Sequence, residues 1–311
     1  MKVIDHLSRA KEPLLSFEVV PPQRGSDFRK LEEVIATLAQ FNPPFIDVTS
    51  HAAQPTDGEN GKIRRKRPGT SGICAVIQHT YKIDAVPHVL CDGFTREETE
   101  DFLVDLDYMG IRNVLALRGD KTNYEKLLPE GRSRNEYAVD LVKQIVSMNK
   151  GVRLDDFTDA APTNFCIGVA GYPEKHFEAP HFEADLGHLG EKVQAGAEYI
   201  VTQMFFDNRK YFDFVKKCRH HNINAHIIPG LKILTSREQL TSLPQNFYIT
   251  MPSDLIQQVE AAKDKKEISE IGIQWALKQT EELLNHNVPA VHFYVMGNPA
   301  PVVDVIGRLK R

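Results

Sequence analysis

The sequence lacks several features that mark whole classes of protein. Its four cysteines show no CxxC spacing, and three of them lie inside or beside apolar runs, which predicts buried thiols in a reducing compartment. No apolar stretch approaches the roughly 20 residues that span a bilayer, and the N-terminus MKVIDHLSRAKEP lacks the apolar region of a secretory signal. The formal net charge of -4 does not favour nucleic acid or an anionic membrane. We therefore expect a cytoplasmic protein that acts on small molecules.

The signatures of common cofactor and metal sites are also missing. No GxGxxG or P-loop spacing occurs, so a nucleotide cofactor is not expected to bind as in a Rossmann fold. Residues 171–192 are rich in histidine but contain no HExxH motif and no Cys/His pairing, and we predict no metal site. The basic residues of 62–67 are typical of a solvated surface loop. The alternative is that they contact the negatively charged tail of a substrate.

Eight short apolar runs, separated by amphipathic segments, organise nearly the whole chain. They are LLSFEVV (14–20), FIDVTS (45–50), AVPHVLC (85–91), NVLALRGD (113–120), FCIGVAGY (165–172), YIVTQMFF (199–206), HIIPGLKI (226–233) and VHFYVMG (291–297). Runs of this length and composition are typical of parallel strands buried on both faces. We predict an α/β fold, a (β/α)8 TIM barrel forming a single domain over residues 1–311. Residues 51–69 are expected to be a long surface loop, and 235–287 to add helices before the last strand.

Helical periodicity fills the intervals between the runs. Residues 27–40 place Leu31, Val34, Ile35 and Leu38 on one face, with Ser26 or Asp27 available as a cap. Thr95 and Glu98 have the spacing of a capping box, and Gly110 is expected to end that helix. Further helices are predicted over 136–149, 181–195, 209–221 and 268–286, with a short final helix in PAPVVDVIGRLK.

A TIM barrel builds its active site at the C-terminal ends of the strands, which identifies candidate residues in advance. They are Glu18, Thr49, His88, Arg118, Asp120, Tyr172 and Gln203. Strand alternation in SFEVV puts Glu18 on the face opposite Phe17 and Val19, so Glu18 points into the barrel mouth if that bulky pair meets the helices. Loss of hydration there favours a protonated carboxyl suited to general-acid work. The alternative is a strand-end Glu that pairs with an Arg for structural reasons.

Other strand-end residues allow both a functional and a structural interpretation. Gly119, between Arg118 and Asp120, permits close approach of a ligand or of backbone. Gln203 lies in an otherwise apolar strand, where its amide either contacts a heterocycle edge or bonds neighbouring backbone. His88 is either a ligand contact or a satisfied core histidine.

At these residues the chain resembles the methylenetetrahydrofolate reductase family, flavin-dependent (β/α)8 barrels of one-carbon metabolism. SFEVVPP resembles the family's SFEFFPP, LALRGD its ALRGD, PHVLC its PHLTC and VTQMFFD its ITQFFFD. AGYPEKHFEA, IIPGLKIL and VHFYVMG also fit, so the resemblance runs in order from about residue 14 to 297.

The resemblance implies a reaction in two halves at one site. NADH or NADPH reduces FAD, and hydride then passes to 5,10-methylenetetrahydrofolate to give 5-methyltetrahydrofolate, the methyl source for methionine. Glu18 matches the family's general acid, and Asp120 the acid that stabilises the cation formed when the folate ring opens. Gln203 and Gln239 match folate contacts. The remaining matches fall where the family holds FAD: Thr49, His88, Arg118, Gly119, Asp120, Tyr137, Ala138, Tyr172, His176, Asp185 and Lys192.

The chain departs from the family pattern at three places. Ser50, His51 and Ala52 follow Thr49 where many members have an aromatic residue and Gly-Ala, while His188 and Glu191 replace Asn and Arg, and Leu243 replaces a Phe. The resemblance extends over the catalytic barrel only, so no C-terminal regulatory domain is expected. A homo-oligomer is compatible with the sequence, and the alternatives in function are a proline-dehydrogenase-like FAD barrel and a non-catalytic folate- or flavin-binding barrel.

Overall fold

The eight apolar runs form the parallel strands of one barrel in the computed structural model, which describes residues 1–55, 62–119 and 126–309. In chain order the strands are β1 (Leu14–Val19), β2 (Phe45–Val48), β3 (Ala53–Pro55), β4 (Ile63–Arg65), β5 (Asp84–Leu90), β6 (Asn113–Leu117), β7 (Cys166–Gly171), β8 (Tyr199–Thr202), β9 (His226–Ile228), β10 (Gly230–Leu231) and β11 (Ala290–Met296). The barrel order is β10, β11, β1, β2, β5, β6, β7, β8, β9. The predicted fold class is confirmed.

The seventh run is divided at Pro229 into β9, which pairs with β8, and β10, which pairs with β11. Pro229 has no N–H to donate, and its carbonyl accepts from the backbone N–H of His292 at 2.9 Å. Because β9 and β10 follow each other on either side of this residue, the two ends of the sheet meet there and the barrel is nearly closed.

Helices cover the outside of the barrel and its N-terminal end. They are α1 (Val3–Arg9), α2 (Arg29–Ala39), α3 (Thr70–His79), α4 (Arg96–Tyr108), α5 (Ala138–Asn149), α6 (Phe182–Ala195), α7 (Asn208–His220), α8 (Gln239–Phe247), α9 (Ser253–Ala261), α10 (Lys265–Asn285) and α11 (Ala300–Arg308). None of the helices within the described ranges combines the length and the apolarity that a membrane crossing requires.

The first strand and helix show how the periodicity positions the site. Helix α2 buries the four predicted residues, and Phe17 and Val19 of β1 belong to the same core cluster. Ser16 and Glu18 therefore face the barrel interior, as strand alternation predicts. The capping box of α4 is confirmed, with Thr95 and Glu98 each accepting the other's backbone N–H. Helix α2 begins after the predicted cap, at Arg29, whose N–H donates to the Asp27 carboxylate.

Helix α1, which periodicity did not predict, closes the N-terminal end of the barrel. Its Val3 and Leu7 pack with Phe45, Val86 and other interior residues. The backbone N–H of Val3 donates to Asn113 Oδ1 at 2.8 Å at the start of β6. Apolar side chains of α1 and the barrel interior therefore fill this end around the buried amide of Asn113.

Two segments were expected to interrupt the alternation of strands and helices, and the structure agrees fully with only one of these predictions. The prediction of a plain loop over 51–69 is wrong in part, because β3 and β4 pair antiparallel within it, from Ala53 opposite Arg65 to Pro55 opposite Ile63. Residues 235–287 form α8, α9 and α10 as expected, and their apolar faces make a separate cluster with Met204 and Phe206.

Candidate functional site

The C-terminal half of the barrel interior holds a cluster of buried acids and imidazoles. Glu18 on β1 and Asp47 on β2 are register partners on adjacent parallel strands, so both side chains point inward. His88 on β5 lies beside them, with Nε2 3.4 Å from Glu18 Oε2 and 3.7 Å from Asp47 Oδ2. The exposed fractions of Glu18, His88 and Asp47 are 8%, 5% and 0%. The cluster therefore places one imidazole nitrogen beside two carboxyls that are largely or fully removed from solvent.

A second imidazole links the first and last strands beneath this cluster. His292 on β11 lies directly beside Ser16 on β1, and its Nδ1 is 2.9 Å from the Ser16 hydroxyl. Burial, and to a smaller extent the charge of His88, lowers the pKa of His292 to about 3. His292 is therefore neutral at physiological pH.

A lysine, Lys232, lies near Glu18. Lys232, just after β10, donates from Nζ to the carbonyl of Tyr294 at 3.0 Å, and Tyr294 is the register partner of Glu18 on β11. Burial lowers the pKa of Lys232 to about 8, against the opposing effect of the Glu18 charge. The ammonium is thus still the main form near neutral pH and favours the ionised form of Glu18.

A separate group of predicted residues lies at the ends of β6 and β7. Arg118 forms an ion pair with Glu178, and its guanidinium lies 5.2 Å from the centre of the Tyr137 ring. Gly119 has a φ of +107°, and a Cβ there would lie 3.1 Å from the Cβ of Asp92. A residue with a side chain would be strained by this φ and crowded by Asp92, so the position requires glycine.

The segment after β7 adds rings and a buried cation to this group. Tyr172 and His176 meet edge to face with ring centres 4.7 Å apart, and the backbone N–H of His176 donates to Asp185 at 2.9 Å. Lys192 of α6 donates to the carbonyl of Ala170 at 2.8 Å, and burial lowers its pKa to about 8. Burial also lowers the pKa of His176.

Four further predicted residues lie around these two groups. Ala138 is the first residue of α5, directly after Tyr137. The carbonyl of Thr49, after β2, accepts from the hydroxyl of Thr70. The side-chain oxygen of Gln203 accepts from the N–H of Met204 at 2.9 Å, and that of Gln239 from the N–H groups of Thr235 and Ser236.

Asp120, predicted as the second acid, lies outside the described residues. Within those residues, no group of three His, Cys, Asp or Glu side chains is spaced to hold a metal ion. A cavity of about 300 Å³ opens beside His88, between the start of α3 and helix α4, and Arg65 and Arg67 line it. The guanidinium of Arg65 lies 4.5 Å from the centre of the Phe94 ring, and Arg67 donates to the carbonyl of Pro21.

Sequence reasoning missed three members of the buried cluster, namely Asp47, Lys232 and His292. The signal for Asp47 was available, because an acid inside the apolar run FIDV has the same pattern as Glu18 inside SFEV. Lys232 is likewise a charged residue within the apolar run IIPGLKI. A charged residue in a strand buried on both faces must point into the barrel or destabilise it.

Comparisons with known proteins identify the family to which this chain belongs. The family model described as methylenetetrahydrofolate reductase matches residues 2–310. The chain is 31% identical over 284 residues to 5,10-methylenetetrahydrofolate reductase of Escherichia coli, covering 91% of this chain and 86% of that protein. It is 28% identical to methylenetetrahydrofolate reductase (NADH) 1 of Arabidopsis thaliana and 30% identical to methylenetetrahydrofolate reductase 1 of Schizosaccharomyces pombe, covering 99% of this chain in both cases. It spans about half the length of these two relatives, 51% and 48%.

A solved structure with the same fold comes from Clostridium thermocellum. It superposes with a TM-score of 0.60 over 98% of this chain and 96% of that one, at 12% sequence identity. That protein is described as uncharacterized and as binding two copies of 5-methyl-5,6,7,8-tetrahydrofolic acid. At this level of identity the likeness concerns the barrel fold.

Proposed function

Since the chain belongs to the methylenetetrahydrofolate reductase family, we propose that it reduces 5,10-methylenetetrahydrofolate to 5-methyltetrahydrofolate. The observation that carries the proposal is Glu18, an almost fully buried carboxyl at the barrel mouth beside His88. Opening of the folate ring requires a proton on the departing nitrogen, and a desolvated carboxyl holds such a proton near neutral pH. Glu18 is the general acid of this proposal, and Asp120 stabilises the resulting cation.

We propose FAD as the cofactor, because the residues at the ends of β6 and β7 suit it. Arg118 and Lys192 offer cations for phosphate or flavin oxygens, while Tyr172 and His176 offer ring faces and edges. Gly119 adds no side chain next to Arg118 at the end of β6. Thr49, His88, Tyr137, Ala138 and Asp185 complete the set. FAD, when bound, supplies the hydride chemistry, and the protein supplies binding, orientation and the proton.

We also propose a hydride donor, a shared site for both half-reactions and a cellular location. NADH or NADPH delivers the hydride, and both half-reactions use one site in turn, with Gln203 and Gln239 contacting folate. The product serves methionine synthesis. A cytoplasmic location is supported by the cysteines, since all four are buried free thiols, as predicted for a reducing compartment.

An anaerobic spectroscopic experiment tests the cofactor and the donor. The purified protein, reconstituted with FAD if necessary, is expected to show a flavin spectrum that NADH or NADPH bleaches. Bleaching by proline rather than by a nicotinamide would indicate a proline-dehydrogenase-like barrel. A bound flavin that no donor bleaches would indicate a non-catalytic binding barrel, and either result would overturn the proposal.

A further inference from the structure

Asp47 is a fully buried carboxyl on β2. Both of its oxygens are inaccessible to solvent, and neither has a hydrogen-bond partner within the described part of the chain. A buried carboxylate without partners is strongly disfavoured, and burial raises the pKa of Asp47 well above its ordinary value. Asp47 therefore carries a proton that it can donate.

His88 is the acceptor within reach of that proton. Its Nε2 lies 3.7 Å from Asp47 Oδ2 and 3.4 Å from Glu18 Oε2, so the same nitrogen faces both acids. An imidazole nitrogen either accepts one hydrogen bond or donates one. If Nε2 accepts from Asp47, it cannot at the same time donate to Glu18 and stabilise the Glu18 carboxylate.

We propose that Asp47 is a positioning residue for Glu18, acting through His88. The Asp47 hydroxyl donates to His88 Nε2, which keeps the ring neutral and withholds its N–H from Glu18, so that Glu18 retains its proton for the substrate. The 3.7 Å separation must shorten by about 0.7 Å to make this bond, which a small rotation of either side chain provides. The inference rests on the proposed role of Glu18 as the acid.

Other titratable groups face the same cluster and stay in place when Asp47 is changed. Lys232 and Tyr294 lie near Glu18, while Cys74 of α3, Tyr199 of β8 and Tyr294 of β11 lie near Asp47, and His292 lies near His88. Lys232 favours the ionised form of Glu18. The proposed role of Asp47 opposes that effect, because it keeps the His88 N–H from donating to Glu18.

Two substitutions of Asp47 distinguish its role as a hydrogen-bond donor from its role as a titratable acid. Asp47→Asn keeps an N–H donor for His88 Nε2 and loses the titratable proton, whereas Asp47→Val loses both. In single-turnover oxidation of the reduced protein by methylenetetrahydrofolate, the Asn variant should keep the pH at which the rate falls to half. In the Val variant that pH should fall by at least about one unit, which makes the rate about tenfold lower at pH values above both midpoints.

Asp84→Asn is the matched control. Asp84 begins β5, the strand that carries His88, and pairs with His6 and the N-terminal amine at the opposite end of the barrel. This variant should lose stability and keep the wild-type pH profile. A wild-type profile in Asp47→Val, or the Val profile in Asp47→Asn, would overturn the inference. An unreactive wild type would instead refute the proposed function.

A second readout does not depend on turnover. In the ¹⁵N NMR spectrum of histidine-labelled protein, with His88 assigned through His88→Gln, Nε2 should be unprotonated at pH 7 in the wild type and in Asp47→Asn. It should be protonated in Asp47→Val. An unchanged His88 signal in a folded Val variant contradicts the inference. That variant should fold, because an apolar side chain of similar size replaces a fully buried carboxyl whose desolvation is unfavourable.

Discussion

At the scale of single residues, the proposed reduction of the folate depends most on the proton of Glu18. Replacement of this carboxyl by an amide of the same shape, Glu18→Gln, removes the transferable proton and leaves the packing in place. We expect the variant to bind FAD and be bleached by NADH as the wild type is, while its rate of folate reduction falls by about 10² to 10⁴. Stopped-flow absorbance of each half-reaction measures the two effects separately. Glu33→Gln on the exposed face of α2 should change neither, and normal folate turnover in Glu18→Gln would remove Glu18 from the acid role.

Lys232 gives a prediction about stability and pH. Its folded pKa of about 8 lies below the ordinary value of 10.5. Below pH 8 the folded protein therefore holds a buried ammonium at full cost, and that cost disappears as the pH rises from 8 to 10.5. Lys232→Met should raise the free energy of unfolding at pH 7 by about 1 to 3 kcal/mol. The gain should shrink over that window.

Urea unfolding of the Lys232 variant at several pH values measures this difference. Lys216→Met on the exposed surface of α7 provides the comparison and should have little effect. A gain for Lys232→Met that is the same at pH 7 and pH 10.5 would show that the lysine is not destabilised by burial.

At the scale of elements, the pairing of β7 with β8 requires a glycine at position 168. A Cβ on Gly168 would lie 2.3 Å from the ring of Tyr199, its register partner, which is itself fully buried in the barrel interior. Gly168→Ala should therefore lower the free energy of unfolding by at least about 1 to 3 kcal/mol, because the interior must be rearranged.

Gly187 is a matched control for that substitution. It lies in helix α6, where a Cβ would meet no atom within 4 Å outside its neighbours and the backbone of its own helix, so Gly187→Ala should stabilise the protein by about 0.5 to 1 kcal/mol. Chemical denaturation of both variants tests the pair. A neutral Gly168→Ala would mean that Tyr199 does not occupy the space beside β7.

The elements also show what sequence periodicity can and cannot predict. The inward position of Glu18 follows from strand alternation, and the buried face of α2 follows from helical spacing, because both depend only on local geometry. The contact between Glu18 and His88 joins residues 70 positions apart and exists only once the barrel has closed. Helix α1 was missed for the same reason, since Val3 and Leu7 are recognisable as core residues only when the open end of the barrel is known.

At the scale of the whole molecule, His292 ties the last strand to the first and predicts how the barrel responds to acid. Its folded pKa of about 3 lies below the ordinary 6.5, so between these values the unfolded chain binds a proton that the folded chain does not. Stability should therefore fall as the pH drops from 6.5 toward 3, by up to about 1.4 kcal/mol per pH unit from this group.

His292→Gln should remove that part of the pH dependence. Thermal unfolding of the two proteins between pH 7 and pH 4 checks the prediction, and the difference between their unfolding free energies should change with pH. Parallel curves would contradict it and would place the acid sensitivity of the barrel in other groups.

A single anaerobic turnover of the folate half-reaction tests the proposed reaction most directly. Protein reconstituted with FAD and reduced by one equivalent of NADH is mixed with 5,10-methylenetetrahydrofolate while the flavin absorbance is recorded, and the folate product is identified by mass spectrometry. Return of the oxidised flavin spectrum, with one equivalent of 5-methyltetrahydrofolate formed per flavin, is the predicted result. A flavin that stays reduced, or that is reoxidised without formation of the methyl product, would contradict the account.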